Sequence, residues 1–280
     1  MSMSSDVPPT SLERSVRLAQ KRLGSELSRL GEAGVDERIA SASRTPPPRA
    51  SFVSAIERRT YAGECAIVAE VSAGSPSAPA WHAAEAAEQC LEGGADAIAL
   101  RTDLESNADG LLQLQLVCRA MEARNIPVLQ LDWIMHPLQV AQAKEVGAAG
   151  VQIVSSVLGD GTPAIHNAIL QLGMEPIVEV INQKDLDIAE KCNARLFGVY
   201  LSVALALPNA EARNLATKGL LQSLPFGALS CVGVGSMEEA RKAIIYGADA
   251  LLLKRDMLVL GSQNMTEILQ EVRYLASGDD

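Results

Sequence analysis

Gly94-Ala-Asp-Ala-Ile-Ala-Leu100 recurs along the chain as Gly147-Ala-Ala-Gly-Val-Gln-Ile-Val154 and Gly247-Ala-Asp-Ala-Leu-Leu-Leu253. Each copy follows a stretch with helical periodicity. A glycine so placed ends a helix by taking the left-handed conformation, and the apolar run after the short turn reads as a strand. Asn193-Ala-Arg-Leu-Phe-Gly-Val199 is a weaker copy, with Asn in the glycine's place. The copies lie about fifty residues apart, room for two strand–helix units each. Between them come Ile126-Pro-Val-Leu-Gln-Leu-Asp132, Glu175-Pro-Ile-Val-Glu-Val-Ile181 and Ala228-Leu-Ser-Cys-Val-Gly-Val234, while Ala66–Val71 opens the series. The pattern predicts eight strands, near residues 66, 97, 127, 151, 176, 196, 229 and 250.

Strands without polar alternation are buried on both faces, and intervening helices imply parallel pairing. Eight such units predict an α/β fold, a closed (βα)8 TIM barrel. The rival, a doubly wound sheet, lacks its Gly-x-Gly-x-x-Gly turn after any early strand. Ahead of the barrel, residues 1–10 read as a disordered tail. Residues 11–60 read as a helical extension, broken by Thr45-Pro-Pro-Pro-Arg49, and 61–280 as the barrel. Val16, Leu23, Leu27 and Leu30 give the first helix an apolar face that either caps the barrel or meets another chain.

Composition narrows the function classes. Of 280 residues 48% are hydrophobic but only 3% aromatic, so Ala, Val, Leu and Ile must build the core. With 24 basic and 34 acidic residues the formal charge is −10, which argues against nucleic-acid or anionic-membrane binding. No apolar run reaches the roughly 18 residues of a membrane span. The five cysteines are scattered, without a CxxC pair, and read as buried apolar residues in a reducing compartment. His82, His136 and His166 are isolated, so neither a metal nor a cofactor is expected. A soluble cytoplasmic protein is expected; the Ser-rich start keeps a plastid stroma as the alternative.

In such a barrel chemistry sits at the C-terminal ends of the strands. Those positions hold Glu70, Ser72, Arg101, Asp103, Gln130 to Asp132, Ser155, Glu179, Asn182, Tyr200, Ser202, Gly233 to Ser236 and Lys254 to Asp256. Glu70 and Glu179 read either as general bases or as partners of Arg101 or Lys254. Ser75-Pro76-Ser77 reads as a simple turn or as a ligand loop. Ser236-Met-Glu-Glu239 is a capping box whose free amides, beside Gly233 and Gly235, are also able to hold a phosphate. Lys254 is either an anion clamp or, with Arg255, a partner of Asp256. Trp133 and Tyr200 stack on a ligand or pack the rim.

From about Ser11 to Leu275 the chain resembles the indole-3-glycerol phosphate synthase family. The resemblance rests on Pro47-Pro-Arg-x-Ser-Phe52, Ala69-Glu70-Val-Ser-x-x-Ser75-Pro-Ser77, Ile98-x-x-x-Thr102-Asp103 and Pro127-Val-Leu-Gln-Leu-Asp132-Trp-Ile-x-x-Pro137-x-Gln139. Pro176-Ile-Val-Glu179-Val and Gly247-Ala-Asp-Ala250 complete it. It implies a barrel enzyme of tryptophan biosynthesis that closes a ring onto a carbonyl, expels CO2 and loses water. It also implies lysines at two places, where this chain has Ser72 and Leu131. The Asn-Asn-Arg run expected after the sixth strand reads Tyr200-Leu-Ser202, a seventh-strand Glu is Gly233, and an eighth-strand Gly is Lys254. The surviving catalytic positions are Glu70, Asp132 and Glu179. Ser75, Ser77, Gly233, Gly235, Ser236 and Lys254 are the candidate ligand or phosphate contacts.

A positioned acid or base contributes roughly 10²–10⁴-fold. Losing two lysines therefore predicts a pseudoenzyme, kept as a binding or assembly subunit with a phosphorylated small molecule or a protein as partner. The alternative is an active synthase in which Arg101 or Lys254 supplies the charge. A second alternative is a different reaction on a phosphorylated ligand.

Overall fold

The computed structural model describes residues 11–74, 78–103, 107, 109–200, 210–259 and 265–278. Eight parallel strands close into a barrel in chain order: β1 (Ala66–Val71), β2 (Ala97–Arg101), β3 (Val128–Leu131), β4 (Gly150–Val154), β5 (Glu175–Glu179), β6 (Leu196–Val199), β7 (Leu229–Val234) and β8 (Ala250–Leu253). All eight fall where the repeat pattern puts them. The turn chemistry holds as well: Gly94, Gly147 and Gly247 have φ of 99°, 95° and 88°, and Asn193 takes the same left-handed region at 54°.

Alternate strand residues part into two apolar layers, as the two-residue period of a strand demands. Ala66, Val68, Ala97, Ala99, Leu129, Leu131, Ile177, Leu196, Cys231, Ala250 and Leu252 fill the barrel interior. Ile67, Ile98, Leu100, Val151, Ile153 and Val178 face outward into the layer beneath the helices. With so few aromatics the inner layer is mostly small and aliphatic. Helix α2 (Phe52–Tyr61) closes its N-terminal end with Phe52 and Ile56.

The start of α2 is held by one carboxylate. Glu175, the first residue of β5, accepts from the Phe52 amide, from the Val53 amide at 3.2 Å and from the Ser51 hydroxyl at 2.6 Å. A second knot ties the same end of the barrel to the last helix. Asp96 accepts from Arg59 Nε at 2.7 Å, from Arg273 Nη2 at 2.5 Å and from the Ile67 amide at 2.9 Å.

Helix α1 (Ser11–Arg44), interrupted at Gly31 (φ 66°, ψ 169°), runs along α5 (Pro137–Glu145). Arg38 binds Glu145 with Nη2–Oε2 of 2.6 Å, and Gln142 donates to Glu26 at 2.6 Å. Its residues Val16, Leu23, Leu27 and Leu30 are half-buried, so α1 covers part of the barrel. His136 caps α5 by accepting the Leu138 amide at 3.1 Å. No helix among the described residues is long and apolar enough to cross a membrane.

Glu175→Ala leaves two partly buried amides and a hydroxyl without their acceptor, which should cost about 1–3 kcal/mol. Urea unfolding should show a lower midpoint at an unchanged slope; an unmoved midpoint would show that water replaces the carboxylate at no cost.

Candidate functional site

The inward parity of each strand, followed to its C-terminal end, brings one residue from each into the barrel mouth: Glu70, Arg101, Leu131, Gln152, Glu179, Tyr200, Gly233 and Lys254. A cavity of about 470 Å3 opens above them. Six of the eight line it, while Leu131 and Gly233 do not. Ser72, Asp103, Asp132 and Trp133 complete the wall, together with Leu12 and Ser15 from α1.

Arg101 is the central charge. Its Nε lies 3.4 Å from Glu70 Oε1 and its Nη1 3.8 Å from Asp103 Oδ2. Burial works against its charge, but Glu70, Asp103 and Glu179 more than offset that and raise its pKa. Of the two readings of Glu70, the structure therefore provides the ion pair. Glu179 accepts from the Gln152 amide across β4 and β5. Full burial pushes its pKa up to about 7, against the opposing pull of Arg101 and Gln152.

Asp132 is fully engaged. Its Oδ2 accepts from Thr102 Oγ1 at 2.8 Å and from Arg22 Nη2 at 3.1 Å, and its Oδ1 from the Trp133 amide at 2.7 Å. Thr102 is itself held by Gln130 at 2.7 Å. Arg22 comes from α1, so this buried carboxylate also latches the leading helix to the mouth.

Ser72 lines the cavity and its hydroxyl accepts from the Gly74 amide at 3.2 Å. Leu131 is wholly buried among the inner-layer side chains. Its register partner on β2 is Arg101, so a cation stands one strand away from the position where the resemblance puts a lysine.

Tyr200 fills the far side. A methyl group on Gly198 would lie 2.9 Å from its Cε2, and one on Gly233 2.9 Å from its Cδ1. The ring therefore occupies the space that a side chain at 233 needs. Its hydroxyl lies against the Cys231 thiol, and burial raises the pKa of both groups, the thiol to about 12.

Gly233, Gly235 and Ser236 stand apart from the large cavity. Ser236 Oγ accepts from the Glu239 amide at 3.2 Å, and Glu239 Oε2 accepts from the Gly235 amide at 2.8 Å. Ser236 caps the helix as the sequence predicts, but the Glu239 carboxylate reaches the Gly235 amide rather than that of Ser236, and the Gly235 and Glu239 amides are not free as the phosphate reading required. Lys254 points into the mouth, where burial lowers its pKa against the pull of Glu239 and Glu70. Arg255 Nε lies 3.8 Å from Asp256 Oδ1. Ser75, Ser77 and Ser202 lie outside the described residues.

The structure thus brings Glu70, Asp132, Glu179 and Lys254 to one cavity, which Gly233, Gly235 and Ser236 do not line. Sequence reasoning missed Gln152, although a glutamine inside the apolar run Gly150-Val-Gln-Ile-Val154 was a usable signal. It also missed Arg22, which meets Asp132 only through the packing of α1 and carries no local signal.

A closed eight-stranded parallel barrel with polar residues gathered at its C-terminal mouth is a (βα)8 barrel. The family model described as indole-3-glycerol phosphate synthase matches residues 17–253, and the chain belongs to that family. An indole-3-glycerol phosphate synthase of Opitutus terrae is 31% identical over 221 residues, covering 76% of this chain and 80% of the relative. One from Staphylococcus aureus strain MRSA252 is 26% identical, covering 80% and 84%. Among solved structures, a thiamine phosphate pyrophosphorylase from Pyrococcus furiosus shares the fold. It has a TM-score of 0.55 and 17% identity, covering 76% of this chain and 96% of that one.

The raised pKa of Glu179 sets a pH dependence. Its unfolded value is near 4.3, so between there and about 7 the folded state holds the extra proton. The stability this gives is complete below the unfolded value and is lost as pH rises through about 7. Glu179→Gln should therefore match the native protein near pH 4 and exceed its stability at pH 8, by about 3–4 kcal/mol for a rise from near 4.3 to about 7 at 1.36 kcal/mol per pKa unit. Urea melts at both pH values test this, and an equal offset at the two would contradict the burial argument.

Proposed function

We propose that this member of the family does not carry out the synthase reaction and serves as a binding or assembly subunit. The supporting observation is the third-strand inward position, where a fully buried Leu131 sits in the aliphatic layer of the barrel. Ring closure onto a carbonyl needs a proton donor at the carbonyl oxygen, and loss of CO2 needs a positive charge beside the carboxylate. Leucine supplies neither, and Ser72 on the opening strand is neutral.

The neighbouring cation does not restore the balance. Arg101 shares the mouth with Glu70, Asp103 and Glu179, so its charge is already engaged. A guanidinium also stays protonated throughout the working pH range and does not act as a proton donor in turn. The barrel still keeps a polar cavity of about 470 Å3, large enough for a small molecule.

Arg101 carries the second reading, because its register with Leu131 places a charge close to the missing one. Direct assay with the anthranilate-derived substrate separates the two. No formation of indole-3-glycerol phosphate is expected. Turnover within a few tenfold of an ordinary family member, abolished by Arg101→Ala or Lys254→Ala, would establish an active synthase with a rearranged site.

A further inference from the structure

Lys254, the residue after β8, brings a primary amine to the barrel mouth that the binding role does not use. Its stem lies against β7: a methyl group on Gly233 would lie 3.3 Å from its Cε, and one on Gly235 4.0 Å from its Cδ. The side chain lines the cavity of about 470 Å3 together with Glu70, Arg101, Glu179 and Tyr200. Burial lowers its pKa, against the pull of Glu239 from the helix Met237–Ile245 and of Glu70 from β1. Arg213, from the helix Ala210–Ser223, and Arg101, from β2, lower it further. An amine desolvated beside other cations is available as a nucleophile where an ordinary lysine is blocked by its proton.

Glu179 is displaced in the opposite sense. Its pKa is pushed up to about 7 by full burial, and Lys254 is among the charges that act on it. Two titratable groups of one mouth, displaced toward each other, form an acid–base pair. Two other lysines show what is particular to Lys254. Lys144 is buried, and its Nζ has no hydrogen-bond partner among the described residues, but it does not line the cavity. Lys242 lies at the surface, where its bond to Glu238 at 2.7 Å raises its pKa.

We propose that Lys254 captures a small neutral hydroxy-aldehyde or hydroxy-ketone in the cavity as an imine, with Glu179 as the proton donor. Nζ of the neutral amine bonds to the carbonyl carbon while the carbonyl π pair moves to oxygen, and the proton released by nitrogen passes to that oxygen. The Glu179 carboxyl then protonates the new hydroxyl, water leaves, and the nitrogen lone pair closes the C=N bond. The products are a protonated imine, a Glu179 carboxylate and one water, with nothing oxidised or reduced. The class of ligand follows from the lining, where five carboxylates stand against three cations. Carboxylates accept hydrogen bonds from hydroxyl groups and repel the carboxylate of a keto acid. The proposal goes beyond the binding role, since imine formation needs only the amine, the acid and the cavity.

The test is incubation of the full chain with dihydroxyacetone and cyanoborohydride near neutral pH. Hydride transfer to the imine carbon fixes the adduct as a secondary amine, which peptide mass mapping locates. Lys254 should be labelled at least roughly tenfold faster than Lys242 or Lys144, because its amine is both less protonated and open to the cavity. Unfolding in urea should erase that advantage. Glu179→Gln should slow labelling of Lys254 by about tenfold or more while the rate at Lys242, an internal reference, stays the same. Labelling of Lys254 no faster than of Lys242 overturns the proposal, and so does an advantage that survives unfolding. An unchanged rate in Glu179→Gln overturns it as well, as does faster labelling by pyruvate than by dihydroxyacetone.

Discussion

Burying Glu70, Asp103 and Glu179 around one barrel mouth is tenable because Arg101 sits among them. A lone buried carboxylate loses several kcal/mol of hydration, and attraction to a nearby cation recovers that only when geometry and hydrogen bonds are good. Here the Nε–Oε1 distance of 3.4 Å and the Nη1–Oδ2 distance of 3.8 Å are loose. Compensation is therefore incomplete, and burial of Glu179 pushes its pKa up to about 7. The mouth is a cluster of charges organised by Arg101, which contacts Glu70 and Asp103 and acts on Glu179 at longer range.

Volume constrains the other half of the mouth. Tyr200 lies over Gly198 and Gly233, with both glycine Cα atoms too close to the ring to carry a side chain. The tyrosine at 200 and the glycine at 233 therefore require each other. Either residue alone would clash or leave a void, and interiors packed to crystal density tolerate neither cheaply. The same logic joins Lys254 to Gly233, since the lysine stem runs across the face that the glycine leaves open.

The fold was almost wholly legible in the sequence, because its signals are local. Gly94, Gly147, Gly247 and even Asn193 mark helix ends through their own backbone conformation. The parity of each strand then follows from a two-residue period. The site was legible only as far as parity reaches. Glu70, Glu179 and Lys254 arrive in the mouth by that rule. The Arg22–Asp132 pair spans 110 positions of chain and depends on how α1 lies across the barrel. A capping box at Ser236-Met-Glu-Glu239 already implied that the Glu239 carboxylate turns back on the helix start, but its bond to the Gly235 amide and its pairing with Arg213 depend on packing that no local signal shows.

The two ends of the barrel divide the physical work. At the N-terminal end Glu175 holds α2, while Asp96 ties Arg59 and Arg273 to the first two strands. None of these residues lines the mouth cavity. Distant sites without shared partners contribute to stability nearly independently, so the anchors of the fold do not depend on which groups stand at the opposite end. A barrel built this way keeps its closure whichever side chains stand at its mouth. That separation lets the strands carry the family pattern across residues 17–253 independently of the groups at the mouth.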